Sequence, residues 1–334
     1  MAAQVERIQA IARFGPAMLL RGQQLVNFAD SRLDMPPRAS LLMLLGRRLQ
    51  LPDCSQAGVQ LYRDVLEQGL DLHCQRCDLF YLTRMLLEAP AAEALAAAQE
   101  PAGGDWIDRE AGLVVVRRFD AQGRCWELAA KGGHNDEPHN HNDCGSFLLN
   151  VDGQRLAIEL GAPEYTADTF GPKRYTLLAT RSSGHSLPIV NGHEQASGRE
   201  SAAQVLVVKA GPSLVRVQLD LTGAYPAAAG HQRLLRMITL ESVLMSATDQ
   251  LEVLGLEPLE HCVLHRVEPH HFRDNRGEES CAWRWYWTPS TAEPSTEADA
   301  ALQVGYRISP KLKHGVDRGV ANGANRPHAS PAGD

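Results

Sequence analysis

Apolar residues recur at helical spacing in four stretches of the first hundred positions, 18–28, 41–49, 59–66 and 79–87. Pro36-Pro37, Pro52 and Pro90 stand between them as breakers, and Ser40 is a candidate N-cap. The turn formers PAGGD at 101–105 end this pattern. Short Val- and Leu-rich or aromatic runs follow at 112–119, 125–131, 204–209, 214–221, 234–241, 243–247, 263–267 and 282–287, parted by Gly, Pro, Asp and Asn. Many short strands of this kind predict a β-sandwich. The chain therefore reads as α+β and multidomain, with a helical segment at 1–104 and a sandwich at 105–308. Large apolar residues nearly vanish after Gly305, so 309–334 reads as a disordered tail.

The most polar part of the strand region is also the richest in chemistry. The runs 145–150 and 155–160 flank Asp152-Gly153, a dipeptide that favours a tight hairpin. Around them stand His134, His139, His141 and His185, with Asn140, Asn142, Asp143, Glu159, Tyr165 and Tyr175. His139 and His141 are two apart, and in an extended chain such side chains leave the same face. Two imidazoles with a third and a carboxylate, His185 and Glu159, form a donor set suited to zinc. The blander alternative is an Asn- and Asp-rich loop that holds its own turns, its histidines being spectators.

A length of 334 residues with 44% hydrophobic content is enough for two ordinary domains without disulfides. The seven cysteines are odd in number and scattered, which argues against a disulfide framework. Cys74 and Cys77 make a lone C-x-x-C whose spacing equally suits one buried helix face, the reading preferred here. A net charge of −7 excludes a nucleic-acid partner held by the overall field, so an acidic ligand would need a local basic patch. Lys173, Arg174, Arg181 and Arg199 supply candidates. Trp283, Trp285 and Trp287 fill one face of a run, for sugar stacking or, more commonly, a sandwich core. No segment has the length to span a membrane. Met18-Leu19-Leu20, bracketed by Arg13 and Arg21, is too short for a signal-peptide core.

The stretch PHNHNDCGSFLLNVDGQRLAIELGAPEY, with RY and SSGHSLPIVNG after it, resembles the heparinase II/III-like family of polysaccharide lyases. That resemblance implies an (α/α) toroid joined to a large antiparallel β-sandwich, here with only the last toroid helices. It implies one structural zinc ion on His141, Glu159 and His185, Glu159 standing where the family usually has aspartate. His139 corresponds to the histidine facing the sugar and Tyr175 to a tyrosine of the cleft, with Asn140, Tyr165 and Arg174 beside the substrate. The family's other catalytic tyrosine, and the Asn or His that neutralises the uronate, lie upstream in the toroid, and no stretch here matches them. Tyr62 and Tyr81 sit at apolar helical positions and read as core. The implied activity is β-elimination on uronate-containing acidic polysaccharides, weak or absent in this chain alone, which reads as a fragment or a reduced member. The alternative is a non-catalytic glycan-binding or structural module. The implied location is the periplasm or cell envelope, the cytoplasm remaining open.

Overall fold

A computed structural model describes residues 2–22, 24–31, 38–68, 79–98, 104–241, 246–254, 262–273 and 279–289. In chain order the first part holds α1 (Ala2–Ala17), β1 (Leu19–Leu20), β2 (Gln24–Leu25), α2 (Ala39–Leu49), α3 (Pro52–Gln68), α4 (Leu79–Leu87) and α5 (Ala92–Ala96). Helices α2 and α3 bury the apolar stripes read from the sequence, with Leu42, Met43, Leu61 and Val65 in one cluster, whereas α4 adds only Met85 to it and leaves Leu79, Phe80, Leu86 and Leu87 exposed. Tyr62 lies in that cluster, as its spacing implied. Ser40 is not a cap: α2 starts two residues earlier, at Ala39, with Arg38 in the cap position, and Ser40 is buried.

The expected helix at 18–28 is instead the β1–β2 hairpin, whose strands pair Leu19 with Leu25 and Leu20 with Gln24. Gly22 turns the chain with φ 74°, a conformation that costs other residues about 1–2 kcal/mol. Four apolar residues of this stretch, Met18, Leu20, Val26 and Phe28, are needed on a sheet: they pack on Val115, Ala129 and Leu148.

That sheet belongs to the second part, which holds β3 (Trp106–Asp108), β4 (Leu113–Phe119), β5 (Cys125–Lys131), β6 (Gly133–Asn135), β7 (Phe147–Val151), β8 (Gln154–Ala157), β9 (Gly198–Ala210), β10 (Leu214–Asp220), β11 (Arg233–Glu241), β12 (Ser246–Leu254), β13 (Cys262–Arg273) and β14 (Glu279–Pro289). One antiparallel sheet runs β3-β4-β5-β7-β8 and another β12-β11-β10-β9-β6, while β13 and β14 pair with each other. Alternate residues of both five-stranded sheets, among them Val114, Val116, Trp126, Leu128, Leu149, Val215, Val217, Leu219 and Ile238, form one buried core between them. Because the N-terminal hairpin covers the outer face of the first sheet, β5 and β7 are buried on both faces and read as nearly continuous apolar runs. Strand β12 reaches well beyond the expected 243–247, its polar Thr248, Asp249, Gln250 and Glu252 having concealed it.

The turn read at Asp152-Gly153 has φ of 48° and 81° at its two residues, the left-handed pair that a two-residue hairpin requires. Cys54, Cys125 and Cys144 are buried free thiols. The C-x-x-C at Cys74 and Cys77 and the 309–334 tail lie outside the described residues, as do the side chains of Trp283, Trp285 and Trp287.

Candidate functional site

The site forms where the chain crosses between the sheets, from β6 through the loop 136–146 into β7, and back through the segment 158–197 into β9. Crosslinks between the two crossings fix their shape. Asn142 donates its backbone N–H to Thr180 O at 2.9 Å, Ser182 Oγ donates to Asn142 O at 2.8 Å, and Gln195 Nε2 donates to Cys144 O at 2.6 Å. Beneath them Lys131 Nζ meets Asp143 Oδ1 at 2.5 Å, both side chains almost wholly buried. Burial opposes charge on each, yet their mutual attraction wins, so the Lys131 ammonium is held charged and the Asp143 carboxyl below its ordinary range. Cys144 is inert by contrast, burial pushing its thiol up to about 12.

His141 and His185 stand side by side, ring centroids 5.3 Å apart, and both are buried. Nε2 of His141 lies 2.8 Å from Asp30 Oδ1, and Nδ1 of His185 contacts Glu159 Oε2, whose other oxygen accepts from Ser146 Oγ. The remaining nitrogens, His141 Nδ1 and His185 Nε2, are buried with no hydrogen-bond partner. Two orphaned imidazole nitrogens need a ligand, and His141, Asp143 and His185 bring donor atoms within 4.8 Å of one another. The set of nitrogens and carboxylate oxygens fits a zinc ion. Burial and the neighbouring His185 lower the pKa of His141 and favour its neutral form, whereas Glu159 and Asp143 raise that of His185 in spite of burial. A proton and a metal ion therefore compete for the bare Nε2 of His185.

His139 does not share a face with His141 in an extended strand, because residues 136–146 form turns and His139 itself has φ 59°. The two rings converge on a carboxylate instead. His139 Nδ1 lies 3.1 Å from Asp30 Oδ2, and the ring is exposed at 60% beside the 0% of His141. Phe170 packs edge-on against both His139 and Tyr165, at 5.1 Å and 5.2 Å between ring centroids. These three side chains make an exposed aromatic wall over the buried imidazoles.

The other expected residues cluster here too, though not all face outward. Tyr165 donates its hydroxyl to Asp30 Oδ2 at 3.3 Å, and Tyr175 donates to Asn140 Oδ1 at 3.1 Å. Asn140 is buried and its amide donates to His141 O, so it braces the loop. Arg174 is also buried, its guanidinium donating to the carbonyls of Asn140 and Thr169. Arg181 pairs with Glu194, while Lys173 and Arg199 remain exposed. His134 stands apart, its Nδ1 accepting the N–H of Asp136. Two residues escaped the sequence reading: Phe170, a lone aromatic in a loop, and Asp30, which lies more than a hundred positions from its partners.

The family model described as heparinase II/III-like, C-terminal, matches residues 107–309. Among solved structures, heparan sulfate lyase HepC from Pedobacter heparinus superposes with a TM-score of 0.54 at 13% identity, covering 81% of this chain and 42% of that one. A structure titled heparinase III gives 0.53 at 10%, covering 85% and 45%, and the heparinase III BT4657 gene product gives 0.55 at 10%, covering 88% and 45%. The chain thus spans less than half the length of these structures, and at such identities the likeness concerns the fold. No curated protein matches the sequence. With the family model covering most of the β-rich part and every residue of the site described above that lies beyond position 107, the chain belongs to the heparinase II/III-like family.

Proposed function

We propose that this chain forms the β-rich wall of a polysaccharide lyase cleft that acts on uronate-containing glycans, with 1–104 as the closing helices of a toroid. The observation that carries the reading is the exposed His139, held on Asp30 and flanked by Tyr165 and Phe170, directly above the buried His141–His185 pair. In β-elimination a base takes the proton alpha to the uronate carboxylate, the C–H electron pair becomes the new C=C bond, and the glycosidic C–O pair leaves with its oxygen, which is then protonated. In this reading His139 serves as that base or acid, and Tyr175, half-buried and bonded to Asn140, orients the sugar. Zinc, bound by His141 and His185 with Glu159 and Asp143 as the available carboxylates, would tie the two loop crossings together. Its role is structural. Glu159→Gln and Asp143→Asn, assayed separately for zinc content, tell which carboxylate is bound directly. Stoichiometric zinc that falls, together with melting temperature, in His141→Ala or His185→Ala is expected. Metal-free protein with unchanged melting in both variants would refute the site.

A second reading, a non-catalytic glycan-binding or structural module, is favoured by one observation. Arg174, which lies against Phe170 of the wall, spends its guanidinium on backbone carbonyls and Asp30 and is not offered to a uronate. Stabilising the charge that develops on the carboxylate is typically worth a hundredfold or more in rate, about 10²–10³. The chain alone is therefore proposed to be weak or inactive. Incubation with uronate glycans decides: release of unsaturated, ultraviolet-absorbing oligosaccharides that stops in His139→Ala supports the lyase, and saturable binding without release supports the module. A place in the periplasm or cell envelope rests on family likeness and is tested by fractionation of the native host.

A further inference from the structure

We infer that Asp30 is the positioning carboxylate of this site: one side chain from the N-terminal segment fixes the buried His141 ring for metal binding and, through its other oxygen, the exposed His139 ring at the glycan face. The inference rests on the metal reading above. Asp30 is 6% exposed at its side chain and has four partners, His141 at 2.8 Å, His139 at 3.1 Å, the Tyr165 hydroxyl at 3.3 Å and Arg174 Nη2 at 3.5 Å. A carboxylate buried so far is costly unless it is paired, and here each oxygen holds a different histidine.

An imidazole has two nitrogens, and the partner of one decides what the other offers. The carboxylate behind His141 fixes a proton on Nε2, which leaves the lone pair on Nδ1, the nitrogen that is buried without a partner. Glu159 stands in the same relation to His185, at Nδ1, with Nε2 left bare. The two rings are thus each backed by a carboxylate, but from different parts of the chain: Glu159 follows β8, whereas Asp30 follows the β1–β2 hairpin. The backbone on both sides of the contact is held in a strained form. Ala29 has φ 54° with its N–H donated to Asp143 Oδ2 at 3.2 Å, and His139 has φ 59°. The same loop that presents Asp30 therefore also grips Asp143, so the N-terminal segment touches two of the three clustered donors, His141 and Asp143.

The test is a zinc competition titration against a chromophoric chelator, run on the full chain with a melting curve of each metal-free protein. Asp30→Asn preserves shape and removes charge. It is expected to weaken zinc binding about 10- to 100-fold, the usual effect of removing such a partner, while the metal-free protein stays folded at the titration temperature with a modestly lower melting point. Asp30→Ala should weaken it at least as much, and Asp30→Glu should recover part of the loss. Zinc bound as tightly by Asp30→Ala as by the parent overturns the inference, even if that variant melts earlier, because Asp30 would then be only a tether. A parent chain that binds no zinc overturns this inference and the metal reading together, so the two failures are distinguishable.

Discussion

Replacing Arg117 with Met tests how the N-terminal segment is held to the sheet that carries the site. Arg117 is buried, its Nε 3.1 Å from Glu127 Oε1, and it donates to the carbonyls of Ala17 and Gly104 at 2.8 Å and 3.1 Å, and also to that of Leu19. Glu127, 1% exposed, also accepts from the Arg21 N–H and from Asn150 Nδ2. Met fills much of the same volume but leaves Glu127 buried without its cation, a change that typically costs about 3–5 kcal/mol. For a folding unit of this size that corresponds to a fall in melting temperature of roughly 6–20 °C. Urea unfolding of the parent, Arg117→Met, Glu127→Gln and the double variant closes a cycle. The double variant should recover a large part of the single loss, since the orphaned charge is gone, with a coupling of about 1–3 kcal/mol. Arg117→Met within about 1 kcal/mol of the parent, or strictly additive costs, would refute the idea that this pair anchors the segment.

Two smaller perturbations probe the same sheet. Burial raises the pKa of Asp120, but the Trp126 indole N–H, the Arg124 backbone and side chain, and the Gln122 N–H outweigh it and hold the carboxyl below its ordinary range. A depressed acid stabilises the fold above its unfolded pKa and ceases to do so as pH falls through its folded one, so Asp120→Asn should cost roughly 1.5–3 kcal/mol at neutral pH. The gap between variant and parent urea midpoints should then close in acid, and a gap independent of pH would contradict the pairing. Gly153→Ala places a side chain at φ 81°, with its Cβ 3.0 Å from Gly22 Cα, and is expected to lower stability by about 1–2 kcal/mol or more. Unchanged melting would show that the two hairpin tips are not in contact.

Much of this arrangement was legible because period and turn chemistry act locally. The strands at β4, β5, β10 and β11 follow apolar runs that tertiary packing had no reason to override. His141, His185 and Glu159 stood out because such residue types rarely crowd an apolar hairpin, and the fold does gather them. The 18–28 stretch was misread because Leu19, Leu20, Leu25 and Val26 satisfy a helical stripe as well as a short hairpin, and only the waiting face of Val115, Ala129 and Leu148 settles it. Asp30 was invisible for the same reason. A single carboxylate after an apolar run looks like any solvated loop acid until a partner 111 positions away is placed on it.

The docking of the β1–β2 hairpin also sets an order of events on the ribosome. The hairpin leaves the exit tunnel before that sheet, yet Arg117 bonds Ala17 across 100 positions, Glu127 accepts from Arg21 across 106, and Asn27 donates to Glu159 O across 132. At the usual synthesis rate of about 5–20 residues per second, its apolar residues wait several seconds for the sheet they will cover. Met18, Leu20, Val26 and Phe28 lack that covering partner until Val115, Ala129 and Leu148 have been made. Asp30 is made more than a hundred residues before the histidines it meets, so this part of the cleft closes only once residues 139–141 have followed it.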